Sequence, residues 1–267
     1  MNGLVFGPWE LAFAALLVLV NAALSVAFSL GIHRSILIAA LRMVAQLLLV
    51  GFVLGFIFTS ADHWLSLLVL FAMLMAATFE VGSRQRKKLI GFWHYGLSGI
   101  AVSGGTMLVA AFALMTVAGS EDWTAPRIVI PIFGIILGSA MSASSIALNN
   151  IFEGVSSQRA AIEAQLALGH TRAQAMAPLM QRAIYAGTLP VLNQMAGAGL
   201  ITLPGIMSGQ ILAGANPLVA AQSQIFLMLL LCAASTASVV TAVWLAAKSL
   251  SDERERLRLD RFRVKKG

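Results

Sequence analysis

At 267 residues, of which 59% are hydrophobic and only 11% are charged, the chain is excluded from the soluble globular proteins, which carry roughly a quarter charged residues. Its net charge of +7 does not indicate nucleic-acid binding, because the basic residues lie at the ends of apolar runs, as membrane proteins place them. Those runs, each of about 20 residues, recur from end to end and predict an all-α integral membrane protein. The one cysteine, Cys232, leaves no partner for an intrachain disulfide.

Seven membrane spans are predicted, all helical, because a helix satisfies its own backbone hydrogen bonds in lipid. Their ranges are 9–30, 36–58, 64–81, 95–118, 128–149, 191–214 and 218–250. The charge distribution predicts an N-out, C-in orientation, since this places every Lys and Arg except Arg42 and Arg127 on the cytoplasmic side. Residues 251–267 then form a cytoplasmic tail, whose alternating charges favour a solvated helix extension near anionic lipid over a binding motif.

Within the second predicted span, Arg42 and Gln46 lie one helical turn apart on one face. A charge at mid-membrane costs roughly 2.5–3.5 kcal/mol, which makes such a residue a functional candidate. Two interpretations stay open. The pair contributes to a translocation path, or Arg42 extends its charged group to the nearby cytoplasmic interface.

A polar segment, residues 153–190, separates the fifth and sixth predicted spans. It is predicted to form two short helices broken at Gly169, because glycine takes the left-handed conformation that ends a helix. Thr171 and Gln174 have the spacing of a capping box at the start of the second helix. Because the rest of the chain has the composition of membrane spans, this helix-turn-helix is predicted to be the main surface for a soluble partner. The alternative is an ordinary interfacial helix pair.

The sixth predicted span contains Pro204 followed by Gly205 and should break near its middle, since proline donates no backbone hydrogen bond. Backbone groups freed at membrane depth must face protein or a water-filled cavity. One interpretation is a translocation path or moving gate, and the other is a packing kink. The candidate path residues around the break are Asn193, Gln194, Met195, Thr202, Pro204, Gly205, Met207, Ser208 and Gln210.

The sequence contains no Gly-x-x-x-x-Gly-Lys-Ser/Thr loop, no His-Glu-x-x-His and no paired-cysteine motif. The four histidines, His33, His63, His94 and His170, are scattered among span ends and loops. The chain is therefore predicted to be no enzyme by itself and to carry no cofactor, and its metal ligands, if it has any, are unknown.

Several stretches of the sequence carry a family resemblance. Glu163, Ala164 and Gly169 match the Glu-Ala-Ala-x-x-x-Gly coupling pattern of ABC-transporter permeases, with Gln165 in place of the second alanine. Together with residues 41–47, 193–197 and 203–214, they make the chain resemble the FetB family of seven-span permeases, which are assigned to iron export. Plant relatives of that family are linked to aluminium tolerance. The Leu-Pro-Gly-Ile-Met-Ser-Gly-Gln stretch at 203–210 is the most specific part of the resemblance.

The resemblance implies one ABC permease domain over residues 1–267, in the bacterial inner membrane, that exports iron or another metal ion. Two copies of a separate ATPase subunit would dock on a homodimer, with Glu163, Ala164, Gly169 and Thr171 as the coupling residues. The alternative is a gradient-driven secondary transporter or channel. That class favours inverted repeats and several buried acids, and neither is visible in the sequence. A regulatory scaffold would leave the predicted break unexplained.

Overall fold

The computed structural model describes residues 7–60, 63–85, 87–89, 91, 93–117, 125–251 and 256–262. Within these ranges the chain is helical apart from turns and isolated bridges, so the predicted all-α class is confirmed. The helices are α1 (Pro8–Ala27), α2 (His33–Ser60), α3 (His63–Arg84), α4 (Trp93–Val117), α5 (Pro126–Ser157), α6 (Arg159–Ala167), α7 (Arg172–Gly197), α8 (Gly205–Leu212) and α9 (Pro217–Ser249). A single 3-10 turn, Leu259–Arg261, follows in the tail.

Six described helices, α1 to α5 and α9, are long and apolar enough to cross a membrane. The predicted sixth span, 191–214, is not one helix, because α7 ends at Gly197 and α8 begins at Gly205. The predicted break is therefore confirmed. Its physical cause is local: Gly199 takes a φ of +84°, and Pro204 disfavours a helical conformation in the residue before it. The predicted orientation stays a prediction.

The chain divides into two compact units, and the first contains α1 and α2 together with residues 212–214. Among the described side chains of α1 and α2, only Ala22, Ser25 and Ile57 are buried. The connecting turn is closed by the amide of Ile32, which donates to Ser25 Oγ at 3.1 Å. The exposed apolar side chains of this helix pair need lipid or protein around them, as a membrane span does.

The second unit contains the remaining helices, apart from the last residue of α8, with α5 and α9 at its centre. α5 packs against α3, α4, α7 and α9, and α9 packs against α4, α5 and α7. Side chains from three of these helices, including Ile136, Leu148, Met176 and Val239, are almost fully buried in one core. This core positions α7, which carries most of the predicted functional residues. The prediction of a single domain over residues 1–267 stays a prediction.

The tail differs from the predicted helix extension. α9 ends at Ser249, and the chain turns back so that the amide of Arg258 donates to the carbonyl of Leu250 at 2.8 Å. The ring of Phe262 packs edge-on against Phe152 of α5, with centroids 5.5 Å apart. The extension was wrong for residues 256–262 because their apolar side chains find a core surface to cover. Residues 252–255 and 263–267 lie outside the described part of the chain.

Candidate functional site

The polar segment is built differently from the two short helices predicted. α5 runs on to Ser157, so α6 supplies only the second half of the first predicted helix. α7 is 26 residues long and continues through Pro178 and Pro190 to Gly197. Each of these prolines removes one helical hydrogen bond, but buried packing along α7 holds the helix together. The buried residues are Ala175, Met176, Leu179, Ala183, Gly187, Thr188 and Val191.

The predicted turn at Gly169 is confirmed, and its hydrogen bonds close it completely. Gly169 has a φ of +87°; its amide donates to Leu166 O and that of His170 donates to Gln165 O, each at 3.1 Å. This pair of bonds is the Schellman arrangement that ends a helix. We call residues 168–171 the Gly169 turn.

The start of α7 has the predicted capping box. The amide of Gln174 donates to Thr171 Oγ1 at 3.3 Å, and the amide of Thr171 donates to Gln174 Oε1 at 2.9 Å. Local bonds therefore satisfy part of both helix ends that meet at the Gly169 turn. A turn closed in this way keeps its shape without help from a neighbouring element.

The Gly169 turn and α6 present an exposed surface. Glu163 accepts a hydrogen bond from Arg159 Nε at 2.7 Å, and both side chains remain about half exposed. Such exposed pairs contribute little to stability, roughly 0.3–0.5 kcal/mol, so the carboxylate remains available to a partner. Ala164 is also exposed, and Leu168 at the tip is 79% exposed. Leu168 was missed from sequence because a single leucine after a helix carries no distinguishing signal.

A connection between the start of α7 and the residues just after α9 was also missed. Arg172, the first residue of α7, donates from Nη1 to Ser251 Oγ at 2.7 Å. Ser251 Oγ lies 3.3 Å from the carbonyl oxygens of both Ala247 and Lys248, within hydrogen-bonding distance. Arg261 of the tail donates to Ser249 O. The two partners of the first bond are 79 positions apart, so no local pattern could have predicted it.

A polar groove of about 240 Å³ lies between the end of α5 and α7. Glu153 and Arg182 bring opposite charges to its lining, beside Asn150 and Gln158. The groove belongs to the polar segment and offers a second feature that a soluble partner could contact.

The predicted path residues lie in three places. Arg42 and Gln46 are exposed on α2, in the first compact unit. Three lie in the last turns of α7, namely Asn193, Gln194 and Met195. The others lie on the break or on α8: Thr202, Pro204, Gly205, Met207, Ser208 and Gln210. Their role in transport stays a prediction. Among the described residues, no group of three or more His, Cys, Asp or Glu side chains could hold a metal ion.

The helix break, residues 198–204, satisfies much of its backbone internally. Gly197 O accepts from the amides of Ile201 at 3.0 Å and Thr202 at 3.1 Å, and the amide of Gly199 donates to Thr202 O at 2.9 Å. Its apolar side chains point outward, with Leu200 93% and Ile201 83% exposed. α8, all of whose residues are described, buries none of them. The helix is therefore interrupted, and not merely bent, between Gly197 and Gly205. Whether this break serves transport or packing stays a prediction.

A cleft between α5, α7 and α9 was only partly anticipated. It is lined by Ser139, Ser142, Gln194 and Ser235 among others. Of these, only Gln194 had been assigned to a path, because serines in an apolar helix are equally typical of close helix packing.

Comparison with known proteins assigns the chain to a family. Residues 8–251 match UPF0014, described as an uncharacterised protein family. The chain belongs to the UPF0014 family. The probable iron export permease protein FetB of Escherichia coli (strain K12) is 32% identical over 256 residues, which are 96% of each chain. The Protein ALUMINUM SENSITIVE 3 of Arabidopsis thaliana is 34% identical over 235 residues, 88% of this chain and 84% of that one.

A third relative, the UPF0014 membrane protein STAR2 of Oryza sativa subsp. japonica, is 36% identical over 233 residues, which are 87% of this chain and 79% of that protein. No solved structure matches the chain. The resemblance to the FetB family is thus confirmed, and this UPF0014 protein is a multi-pass membrane protein.

Proposed function

We propose that this UPF0014 protein is the membrane permease of an ABC transporter in the bacterial inner membrane, and that it exports iron or another metal ion. A separate ATPase subunit supplies the energy and docks on the polar segment. The observation that carries the proposal is the exposed, fully capped Gly169 turn, with the carboxylate of Glu163 beside it. The 32% identity to FetB, named a probable iron export permease, supports the substrate.

The continuous α7 gives this docking surface a mechanical connection to the transport path. Its 26 residues span about 39 Å at 1.5 Å per residue, from the Gly169 turn to the helix break. Because no loop lies between them, a displacement of the turn moves the other end of α7 as well. ATP would drive the motion by binding the closed arrangement of the ATPase subunits better than the open one.

We propose a homodimer with two ATPase subunits, because each chain offers one Gly169 turn and such transporters have two ATP sites. The exposed leucine and isoleucine side chains of the helix break also need an apolar cover. A second copy of the chain would supply it, with lipid around the rest. The metal is the transported substrate in this proposal and is not held as a cofactor.

The test is purification of the tagged protein from its native membrane, together with the iron content of cells that lack it. An ATPase subunit should co-purify, and the deleted cells should accumulate iron under an iron load. Glu163→Ala should weaken export while Gln181→Ala, an exposed change on the same polar segment, should not. Iron export by the protein with no associated ATPase would overturn the coupling and favour a gradient-driven transporter.

A further inference from the structure

The cleft between α5, α7 and α9 has a volume of about 280 Å³. Ser139 and Ser142 lie near the middle of α5, which is a candidate membrane span. Ser139 Oγ and Ser235 Oγ form a hydrogen bond of 2.8 Å across the cleft, between α5 and α9. Ser142 and Gln194 expose their side chains. Exposed polar groups within a membrane span are costly against lipid, so Ser142 and Gln194 favour a polar occupant.

The oxygen atoms around the cleft suit a cation. Three serine hydroxyls and the amide of Gln194 line it. Pro190 also lines it and has no amide hydrogen to donate into the cleft. None of the described lining residues is charged. Neutral oxygen donors favour hard cations and leave the ion most of its water shell.

Three helices come into tight contact at the edge of the cleft nearest the Gly169 turn. A Cβ on Gly187 would lie 2.9 Å from Ala143 O and Ala147 Cβ on α5, and 2.9 Å from a methyl of Val239 on α9. Glycine is therefore the residue that allows α7 this close to both neighbours. Gly187 lines the cleft and lies between Gln194 and the start of α7, so the contact is on the side of the cleft toward the Gly169 turn. Movement of α7 would loosen or tighten it.

We infer that the cleft is a passage site for a hydrated metal cation, held by Ser139, Ser142, Gln194 and Ser235. The inference rests on the proposed transport function and assigns it a place in the membrane. A metal ion with six waters needs roughly 180 Å³ at about 30 Å³ for each water, which fits the cleft. Without a carboxylate the site binds weakly, and weak binding lets an ion leave as readily as it enters.

The decisive experiment is cysteine labelling of the full-length protein in lipid nanodiscs, with Cys232→Ala as the background. The reagent is a small water-soluble cationic methanethiosulfonate. Ser142→Cys should react at least about tenfold faster than Leu229→Cys, an exposed apolar position on α9. The reason is that thiols react as thiolates, and apolar surroundings suppress the formation of the thiolate. Excess Fe²⁺ under anaerobic conditions, at a concentration high enough to occupy a weak site, should slow labelling at 142 several-fold. It should not slow labelling of Leu168→Cys, a control in the exposed Gly169 turn.

Equally slow labelling at 142 and 229 would show that lipid or a second copy of the chain fills the cleft, and would overturn the inference. Fast labelling without protection by Fe²⁺ would overturn it as well. Labelling needs no ATPase subunit, so its outcome is separate from that of the proposed function. A double variant that carries Ser139→Ala and Ser142→Ala gives a second check. If it exports iron as well as the wild type does, the proposed passage site is wrong and the transporter assignment stands.

Discussion

The Gly169 turn and the helix break interrupt one helical path at its two ends and use the same backbone solution. Each contains a glycine with positive φ, +87° at Gly169 and +84° at Gly199, and each closes with local hydrogen bonds. Their surroundings differ. The turn is followed by a capping box and preceded by an ion pair, whereas the break exposes Leu200 and Ile201. The polar groups of the turn can remain hydrated in water, whereas the apolar side chains of the break need lipid or protein around them.

This difference assigns the two ends of α7 to different partners. The polar end suits a soluble protein, because its charges and hydroxyls are hydrated when the partner is absent. The apolar end suits lipid or another membrane chain, since large apolar side chains that one chain leaves exposed mark a surface of contact with lipid or protein. A substitution at the polar end should therefore disturb contact with the soluble partner, and the same substitution at the apolar end should disturb contact with lipid or another membrane chain. Four predictions test this.

The largest expected effect is in accessibility. Leu168→Cys and Leu200→Cys replace two highly exposed leucines, one at each end, in the Cys232→Ala background. A membrane-impermeant thiol reagent should label position 168 only after the cytoplasmic side is opened, and should leave position 200 unlabelled from either side. Labelling of position 200 would remove the contrast between the two ends, and labelling of position 168 from the external side would contradict the predicted orientation.

The second prediction compares Gly169→Val with Gly199→Val. A Cβ at either glycine meets no described heavy atom within 4 Å outside its chain neighbours, so both changes act through backbone strain, roughly 1–2 kcal/mol each. Gly169→Val should weaken ATPase co-purification and iron export. Gly199→Val should reduce export and leave ATPase binding unchanged. Equal loss of ATPase binding in both variants would contradict the separation of roles.

The third prediction concerns how the turn is closed. Thr171→Ala removes the hydroxyl that accepts from the Gln174 amide and should destabilise the start of α7 by about 1 kcal/mol. Hydrogen exchange should become faster at the Gln174 amide and remain unchanged at the Thr202 amide in the break. Thr171→Ser, which keeps the hydroxyl, should restore slow exchange. A Thr171→Ala variant that exchanges like the wild type would mean that the capping box does not hold the turn.

The smallest expected change in stability is at Glu163. Glu163→Ala removes an exposed ion pair with Arg159 and should shift the free energy of unfolding by less than about 0.5 kcal/mol. It should nevertheless reduce metal-stimulated ATP hydrolysis by the assembled complex, because the carboxylate lies beside the docking turn. Gln181→Ala is the matched control. Arg182 is a poor control, since it lines the polar groove of the same segment.

Local features could be predicted from the sequence. Gly169 ends a helix and Thr171 with Gln174 starts the next one, and both depend on bonds between residues five or fewer positions apart. The interruption before Gly205 follows from the chemistry of Pro204 in the same way. The membrane class follows from composition, because a chain that is 59% hydrophobic cannot cover its apolar surface in water.

Tertiary structure decided what depends on distant contacts. Pro178 and Pro190 suggest helix ends by themselves, but packing of α7 against α5 and α9 outweighs the hydrogen bonds they remove. Packing also places Phe262 of the tail against Phe152 and brings Arg172 within hydrogen-bonding distance of Ser251. Ser139 and Ser235 meet across 96 positions of chain. A serine that packs against a helix and a serine that lines a cleft have the same local sequence, so only the assembled helices tell them apart.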